Sequence, residues 1–188
     1  MNAAAMAVQF SVDGRPVSVS PTGSGNVNDT YLAIFRTTFS EERFILQRIN
    51  GKVFADPSLI MQNLKVVTNH VHRRLEREAD DADRIWQLPR IIPAKSGEDF
   101  LLDDEENVWR AISLIASASS YDAIHSLEHA HEAGFVLGQF QRLISDIDPA
   151  RLHDTLEGFH VTPGYLAGLD AALETVQGRE RAESTTEA

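Results

Sequence analysis

The stretch "GSGNVNDTYLAIF", residues 23–35, places a glycine-containing loop directly before an apolar β-strand pattern. Gly23 and Gly25 let the backbone approach an anion closely, so that N–H groups can converge on phosphate oxygens. Asn28 stands where a third glycine of the pattern G-x-G-x-x-G would fall, and asparagine tolerates left-handed backbone well. P-loops and dinucleotide folds need a helix after such a loop, whereas "TYLAIF" predicts a strand. The loop is therefore either a phosphate-binding hairpin loop of the kinase type, with Arg48 of "FILQRIN" as its cation, or an ordinary bend.

The segments around this loop predict an antiparallel, β-rich first half with one long helix. Residues 8–20, "VQFSVDGRPVSVS", alternate apolar and polar positions about Asp13-Gly14 and predict an opening hairpin. "TYLAIFR" and "RFILQRI" predict a second antiparallel pair. Asp56 as N-cap and Pro57 as first helical residue predict a helix over residues 57–78. "RIIPA", "FLL" and "VWRAISLI" then predict further strands.

The second half of the chain predicts helices. Apolar residues at helical spacing predict a long helix ending before Pro149, and residues 149–156 are compatible with a short one. Thr162 as N-cap and Pro163 predict another helix, followed by a polar, loose tail. The predicted fold class is α+β. Its domains are a nucleotide-binding lobe over 1–116, the start of a helical lobe over 117–177, and a disordered tail over 178–188.

Composition limits the classes of partner. The formal charge is 17 − 28 = −11, and a field of this sign repels nucleic-acid phosphate and anionic lipid. The chain has no cysteine, which suits a reducing compartment. Its first ten residues lack the basic and apolar runs of a secretory signal. We therefore expect a cytoplasmic protein that binds neither nucleic acid nor membrane.

Clusters of histidine and acidic residues do not predict a metal site. His125 and His129 are spaced i, i+4, but the glutamate position of a zinc-protease helix is missing, so solvated helix faces explain them better. Residues 98–107, "EDFLLDDEEN", lack the EF-hand spacing and predict a charged hairpin rim. Asp146 and Asp148 resemble a magnesium pair, yet a capped helix end before a proline is the simpler interpretation.

Five stretches together closely resemble the family of aminoglycoside phosphotransferases and choline kinases, with the closest likeness to its N-acetylhexosamine kinase-like branch. They are "GSGNVNDTYLAIF", "FILQRINGKVFADPSLIMQNLKVVTNHV", "VWRAISLIASASSYD", "HEAGFVLGQFQRLI" and "GFHVTPGYL". The resemblance extends to about residue 173. It implies a protein-kinase-like fold, in which a five-stranded N-terminal lobe and a helical C-terminal lobe enclose ATP and magnesium.

The resemblance also implies a set of nucleotide-binding residues. The loop above the phosphates would comprise Gly23, Ser24, Gly25, Asn26, Asn28 and Thr30, with Arg48 as the strand cation and Ile115 and Ser117 at the hinge that pairs with adenine. Kinase-like folds orient the strand cation with a helix glutamate, whereas Gln62 occupies the matching stretch here. Gln62 can hydrogen-bond Arg48 but cannot neutralise it.

The catalytic motif of that family does not occur in this sequence. None of the seven histidines is followed two positions later by aspartate, so the pattern H-x-D-x-x-x-x-N and its magnesium ligands are missing. We therefore expect a truncated phosphotransferase, inactive alone, whose family acts on small amino sugars with ATP. The alternatives are a non-catalytic nucleotide-binding or protein-interaction module, or a lobe completed by a second polypeptide. Exposed apolar helix faces would then favour self-association.

Overall fold

The computed structural model describes residues 2–23, 25–78, 84, 86–116, 118–119 and 121–186. They belong to two compact units, Met1–Thr155 and Leu156–Ala188. The first unit combines an antiparallel sheet with helices, and the second contains helices, so the predicted α+β class is confirmed. Within the described ranges, no helix is both long enough and apolar enough to cross a membrane.

Within the described ranges, the first unit contains three helices, six strands and one 3₁₀ turn. The helices are Ala3–Ala7 (α1), Pro57–Arg77 (α2) and Leu127–Ile144 (α3), and the 3₁₀ turn is Pro149–Arg151. The strands are Arg15–Pro21 (β1), Asp29–Arg36 (β2), Glu41–Ile49 (β3), Ile91–Ile92 (β4), Leu101–Leu102 (β5) and Val108–Ser113 (β6). The strands predicted from residue 30 onward and the long helix after Asp56 are therefore confirmed.

The six strands form one antiparallel sheet in the order β1-β2-β3-β6-β4, and β5 also pairs with β6. In the register of the three central strands, Asp29 lies opposite Arg48, and Arg48 lies opposite Trp109. These three residues therefore form one row across the sheet, at the end where β2 leaves the glycine-containing loop.

Helical segments cover both faces of the sheet, and strand alternation divides its side chains between them. On one face, Phe44, Leu46 and Trp109 belong to a core cluster with Met6 and Phe10. The other face carries a second cluster of Ile49, Met61 and Val108, with further apolar residues of α2 packed against it. The α1 segment thus covers one face and α2 the other.

The opening hairpin predicted around Asp13-Gly14 is wrong. Only its second half is a strand, β1, and residues 8–12 follow the helix α1 as a turn and loop. The first turn of α1 is capped by the Asn2 side chain, which accepts a hydrogen bond of 2.9 Å from the N–H of Ala5. Phe10 is fully buried and forms only an isolated bridge, to Ala94. The apolar residues of this stretch therefore pack onto the sheet, and β1 pairs with β2.

The two long helices of the first unit begin at side-chain caps and are joined at their C-terminal ends. Asp56 Oδ1 accepts a hydrogen bond of 3.0 Å from the N–H of Ser58, which confirms the predicted cap of α2. Arg74, in the last turn of α2, donates to the carbonyl oxygen of Arg142 at 2.8 Å and to Asp146 at 2.6 Å. These bonds fix the end of α3 against α2.

The second unit contains the helices Thr162–Leu173 (α4) and Val176–Thr186 (α5). Val161 occupies the N-cap position of α4, one residue before the predicted Thr162. Helix α5 extends over most of the segment 178–188, for which the sequence predicts a loose tail. The side chain of Thr175 accepts a hydrogen bond of 3.0 Å from the N–H of Gly178, and this local cap favours the first turn of that helix.

Candidate functional site

The glycine-containing loop joins β1 to β2 and is closed at its base. The N–H of Thr22 donates to the carbonyl oxygen of Thr30 at 2.9 Å, so the chain turns back within residues 23–29. Gly23 has φ +80°, a backbone conformation that residues other than glycine rarely adopt. A Cβ added at Gly25 would meet no atom within 4 Å, so packing does not require glycine there. Ser24 of the predicted site lies outside the described residues.

The far end of this loop is attached to the end of β3. Asn28 Oδ1 accepts a hydrogen bond of 3.0 Å from the N–H of Asn50, which follows β3. Thr30 accepts another of 3.0 Å from the side-chain amide of Gln47. Asparagine at position 28 therefore anchors the loop through its side chain, which a glycine could not do. Asn26 lies in the exposed part of the loop.

Arg48 forms an ion pair beside the loop. Its Nη2 lies 2.5 Å and its Nε 2.7 Å from Asp29 Oδ2, and 40% of its side chain is exposed. Its guanidinium carbon lies 5.9 Å from the ring centroid of Trp109. The hydrogen bonds to Asp29 raise the pKa of Arg48 above its ordinary value, although partial burial opposes the shift. The predicted cation is thus next to the loop, and a carboxylate of the loop's own end holds it.

Gln62 is not the partner of Arg48. It is an exposed residue of α2. Phe44, Leu46 and Arg48 alternate onto the face that α1 covers, whereas α2 covers the opposite face. The sheet itself therefore separates Arg48 from the helix that would orient it in the predicted arrangement.

A second arginine, which the sequence reasoning missed, lies on the α2 face. Arg110 of β6 donates from Nε and Nη2 to Gln47 Oε1 at 3.0 and 2.8 Å, and its Nη1 lies 3.9 Å from Met61 Sδ. Burial lowers the pKa of Arg110 from its ordinary value. In the described ranges no carboxylate forms a salt bridge with it. A single charged residue inside the apolar strand pattern "VWRAIS" was the available signal.

Thr30, Gln47 and Arg110 form one hydrogen-bonded chain across three strands. Thr30 accepts from the Gln47 amide nitrogen, and the Gln47 carbonyl oxygen accepts from Arg110. Both polar ends of Gln47 are thus used. Because Thr30 starts β2 directly after the loop, this chain connects the loop's exit to the centre of the sheet on the α2 side.

The predicted hinge follows β6. Ile115 lies two residues beyond the last residue of that strand and is half-buried. Its backbone takes part in none of the turn and loop hydrogen bonds found in the described part of the chain. Ser117, the second predicted hinge residue, lies outside the described residues.

The described residues offer no ready magnesium site. Among them, no group of three or more histidine, aspartate or glutamate side chains is arranged to hold a metal ion. His125 and His129 stack with ring centroids 5.6 Å apart, and the N–H of His125 donates to His129 Nδ1 at 3.3 Å. The magnesium that the resemblance implies therefore has no site of three or more such side chains within the described ranges.

A comparison with models of known protein families found none that matches this chain. The resemblance to small-molecule kinases consequently depends on the sequence stretches quoted above.

Proposed function

We propose that this chain is a nucleotide-binding lobe of the kind found in small-molecule kinases that act on amino sugars. ATP would be bound at the loop between β1 and β2. The proposal is carried by one observation: hydrogen bonds hold both ends of this loop, and the partly exposed Arg48 lies beside the residue that follows it. Backbone N–H groups in such a loop and a neighbouring guanidinium suit the charge and shape of a polyphosphate.

The order of the elements supports the same proposal. A glycine-containing loop joins the first two strands, a cation follows on the third, one long helix comes next, and a half-buried segment leaves the last strand of the sheet. This is the order that the resemblance implies for a kinase-like N-terminal lobe. The Arg48–Asp29 pair differs from it, and nucleotide would have to compete with Asp29 for the guanidinium or share it.

The proposed function is binding without turnover by this chain alone. Phosphoryl transfer depends on a residue that orients the acceptor hydroxyl and on metal ligands that neutralise the developing charge. The sequence contains no H-x-D-x-x-x-x-N motif. Incubation with ATP, magnesium and amino sugars should therefore give no sugar phosphate above a no-protein control, and reproducible turnover by a kinase-free preparation would refute this part.

Nucleotide binding is tested by calorimetric titration of ATP into the chain. The decisive variant is Arg48→Ala, and Arg43→Ala is its control, because Arg43 lies on the same strand and also pairs with a carboxylate, Glu41. We expect saturable binding that weakens about tenfold in the first variant, as for loss of one charge-assisted contact, and is unchanged in the second. Circular dichroism verifies that both variants are folded.

Two outcomes of this titration would contradict the proposal. The first is the absence of saturable binding to the unmodified chain. The second is equal weakening by both substitutions, which would indicate a general effect of charge on the protein's field.

A protein-interaction module is the second candidate, and exposed apolar side chains on α4 favour it. Tyr165, Leu166 and Leu169 are each more than half exposed, at 55, 56 and 54%. An apolar helix surface of this kind promotes association. Sedimentation velocity over a hundredfold concentration range tests self-association, which Leu166→Ser should reduce; a monomer at every concentration would remove the support from this candidate.

A further inference from the structure

A groove beside α2 is lined mainly by basic side chains, although the chain as a whole carries a formal charge of −11. Its volume is about 560 Å³, within the usual range for small-molecule sites. Helix α2 forms one wall of the groove. Arg90, which directly precedes β4, and Arg151 of the 3₁₀ turn also line it. The charged and titratable residues of its lining are Lys65, His72, Arg73, Glu76, Arg90 and Arg151.

Most of these cations are not neutralised locally. Lys65 pairs with Asp99 at 2.6 Å. Arg73 donates to a backbone carbonyl oxygen, that of Asn69, at 3.1 Å. Arg73, Arg90 and Arg151 take part in none of the ion pairs found within the described ranges. With Glu76 as the single acidic lining residue, the groove has a net positive charge.

An unpaired imidazole nitrogen borders the same groove. His72 Nε2 is buried and has no hydrogen-bond partner among the described residues. Burial, followed by the charge of Arg90, lowers the pKa of His72, while a hydrogen bond to the backbone of Pro89 and then the charge of Glu76 oppose the shift. Buried polar atoms normally have a partner, so the hydrogen-bonding capacity of the His72 ring is incompletely used.

The groove continues into an adjoining recess of about 280 Å³. Lys65, Asn69, His72 and Arg90 line both spaces. The recess is closed by residues around β4, including Pro93, and by Asp99, whose carboxylate pairs with Lys65. A ligand in the groove would therefore contact donors on α2 and on the segment leading into the sheet together.

We propose that this groove binds a small molecule bearing a diphosphate or similar polyanionic group, through Arg73, Arg90 and Arg151. The planar guanidinium offers paired donors that match phosphate oxygens, and several on one groove suit a ligand with more than one phosphate. The overall negative charge repels anions in general, so binding here requires local recognition. Arg48 and α2 lie on opposite faces of the sheet, which separates this groove from the proposed nucleotide-contacting arginine.

The test uses the full chain and inorganic pyrophosphate, with sodium chloride added to hold ionic strength constant. Backbone amide signals are followed by NMR during the titration. We expect saturable shifts at Asn69, Arg73 and Arg90, and about tenfold weaker binding in Arg90→Ala and in Arg151→Ala, as for loss of a charge-assisted contact. Arg90→Lys, which keeps the charge but loses the planar fork, should be intermediate.

Two matched variants make the result specific. Arg15→Ala removes an exposed arginine from β1 and should leave pyrophosphate binding unchanged. Arg48→Ala should leave the saturable shifts of Asn69, Arg73 and Arg90 unchanged, although it is expected to weaken ATP binding at the β1–β2 loop. This contrast distinguishes failure of the groove proposal from failure of the proposed nucleotide function.

Four results would overturn the inference. They are shifts that do not saturate, equal weakening by Arg15→Ala, loss of pyrophosphate binding in Arg48→Ala but not in Arg90→Ala, and binding of a glutamate-rich peptide with no binding of pyrophosphate. The third would assign the anion to the β1–β2 loop, and the fourth would assign the groove to protein recognition. If Arg90→Ala is poorly folded, Arg151→Ala and Arg90→Lys give the same decision.

Discussion

Asp103 provides the sharpest test of what holds the sheet together. It lies in the turn between β5 and β6 and is only 8% exposed. Its Oδ2 accepts hydrogen bonds from Trp109 Nε1 at 2.9 Å and from the Asn107 amide at 3.1 Å, and its Oδ1 accepts from the N–H groups of Glu105 and Asn107, both at 3.0 Å. Burial opposes ionisation, but these donated hydrogen bonds outweigh it and hold the pKa of Asp103 well below its ordinary value.

Asp103→Asn keeps the shape of this side chain and removes its charge. One acceptor oxygen becomes an NH₂ group, which then faces either the Trp109 indole N–H and the Asn107 side-chain amide or the backbone N–H groups of Glu105 and Asn107. An unsatisfied buried donor costs ~1–3 kcal/mol, and the remaining bonds lose their charge assistance, so we expect a loss of about 3 kcal/mol in the free energy of unfolding. Asp104→Asn is the control, because Asp104 is exposed, and it should cost less than about 0.5 kcal/mol.

The difference in the free energy of unfolding between Asp103→Asn and the unmodified protein should depend on pH. A carboxyl group whose pKa is lowered in the folded state stabilises it fully above the unfolded pKa, about 3.9 for aspartate. That stabilisation is lost as the pH falls from there toward the folded pKa. The gap between Asp103→Asn and the unmodified protein should therefore be complete at neutral pH and should narrow below about pH 4.

Urea denaturation measures both quantities, with the fluorescence of Trp109 as the reporter in a Trp86→Phe background. The chain has two tryptophans, so this background leaves one signal, and it comes from the sheet. Equal stability of the Asp103→Asn and Asp104→Asn variants would refute the reasoning. So would a gap that stays the same from neutral pH down to about pH 3, which lies below the unfolded pKa.

Two further perturbations test the N-terminal turn and the contact between the helices. Gly14→Ala should lower the free energy of unfolding by about 3 kcal/mol, because at φ +96° the added Cβ would lie 2.4 Å from a carbonyl oxygen at the end of β2. Gly97→Ala is the control: at φ +97°, with no atom within 4 Å of its Cβ, it should lower that free energy by about 1 kcal/mol, and equal urea midpoints of the two variants would contradict this. Asp146→Ala removes the acceptor of Arg74 at 2.6 Å and of His70 at 3.0 Å, so amide hydrogen exchange at the end of α3 should accelerate while β1 is unchanged, and an unchanged pattern in α3 would count against the contact.

Elements determined by local chemistry were predictable from the sequence. Asp56 and Pro57 predicted the start of α2, and the structure places the cap and the first helical residue at those positions. The strand pair after the loop was similarly clear, since both segments contain β-branched and aromatic residues and are joined by a polar turn. Such features depend on neighbours within a few residues, so one sequence contains the information.

The N-terminal segment shows where local chemistry was insufficient. Asp13-Gly14 is a good turn signal, and Gly14 does adopt a positive φ. Residues 8–12 nevertheless form a turn and a loop after α1 rather than a strand, because burying Met6 and Phe10 on the sheet removes more apolar surface than an exposed hairpin would. The partner of β1 is consequently the next strand along the chain.

For the candidate site, the sequence by itself predicted three features: a glycine-containing loop, an arginine on the third strand, and a segment after the last strand of the sheet. Only the tertiary structure decided how they are arranged. The register of β2 and β3 pairs Arg48 with Asp29, and strand alternation places Arg48 away from α2 and Arg110 toward it. The basic groove likewise brings together α2, the segment before β4 and the 3₁₀ turn. Strand register and helix packing depend on contacts between residues far apart in the chain, which local sequence patterns do not specify.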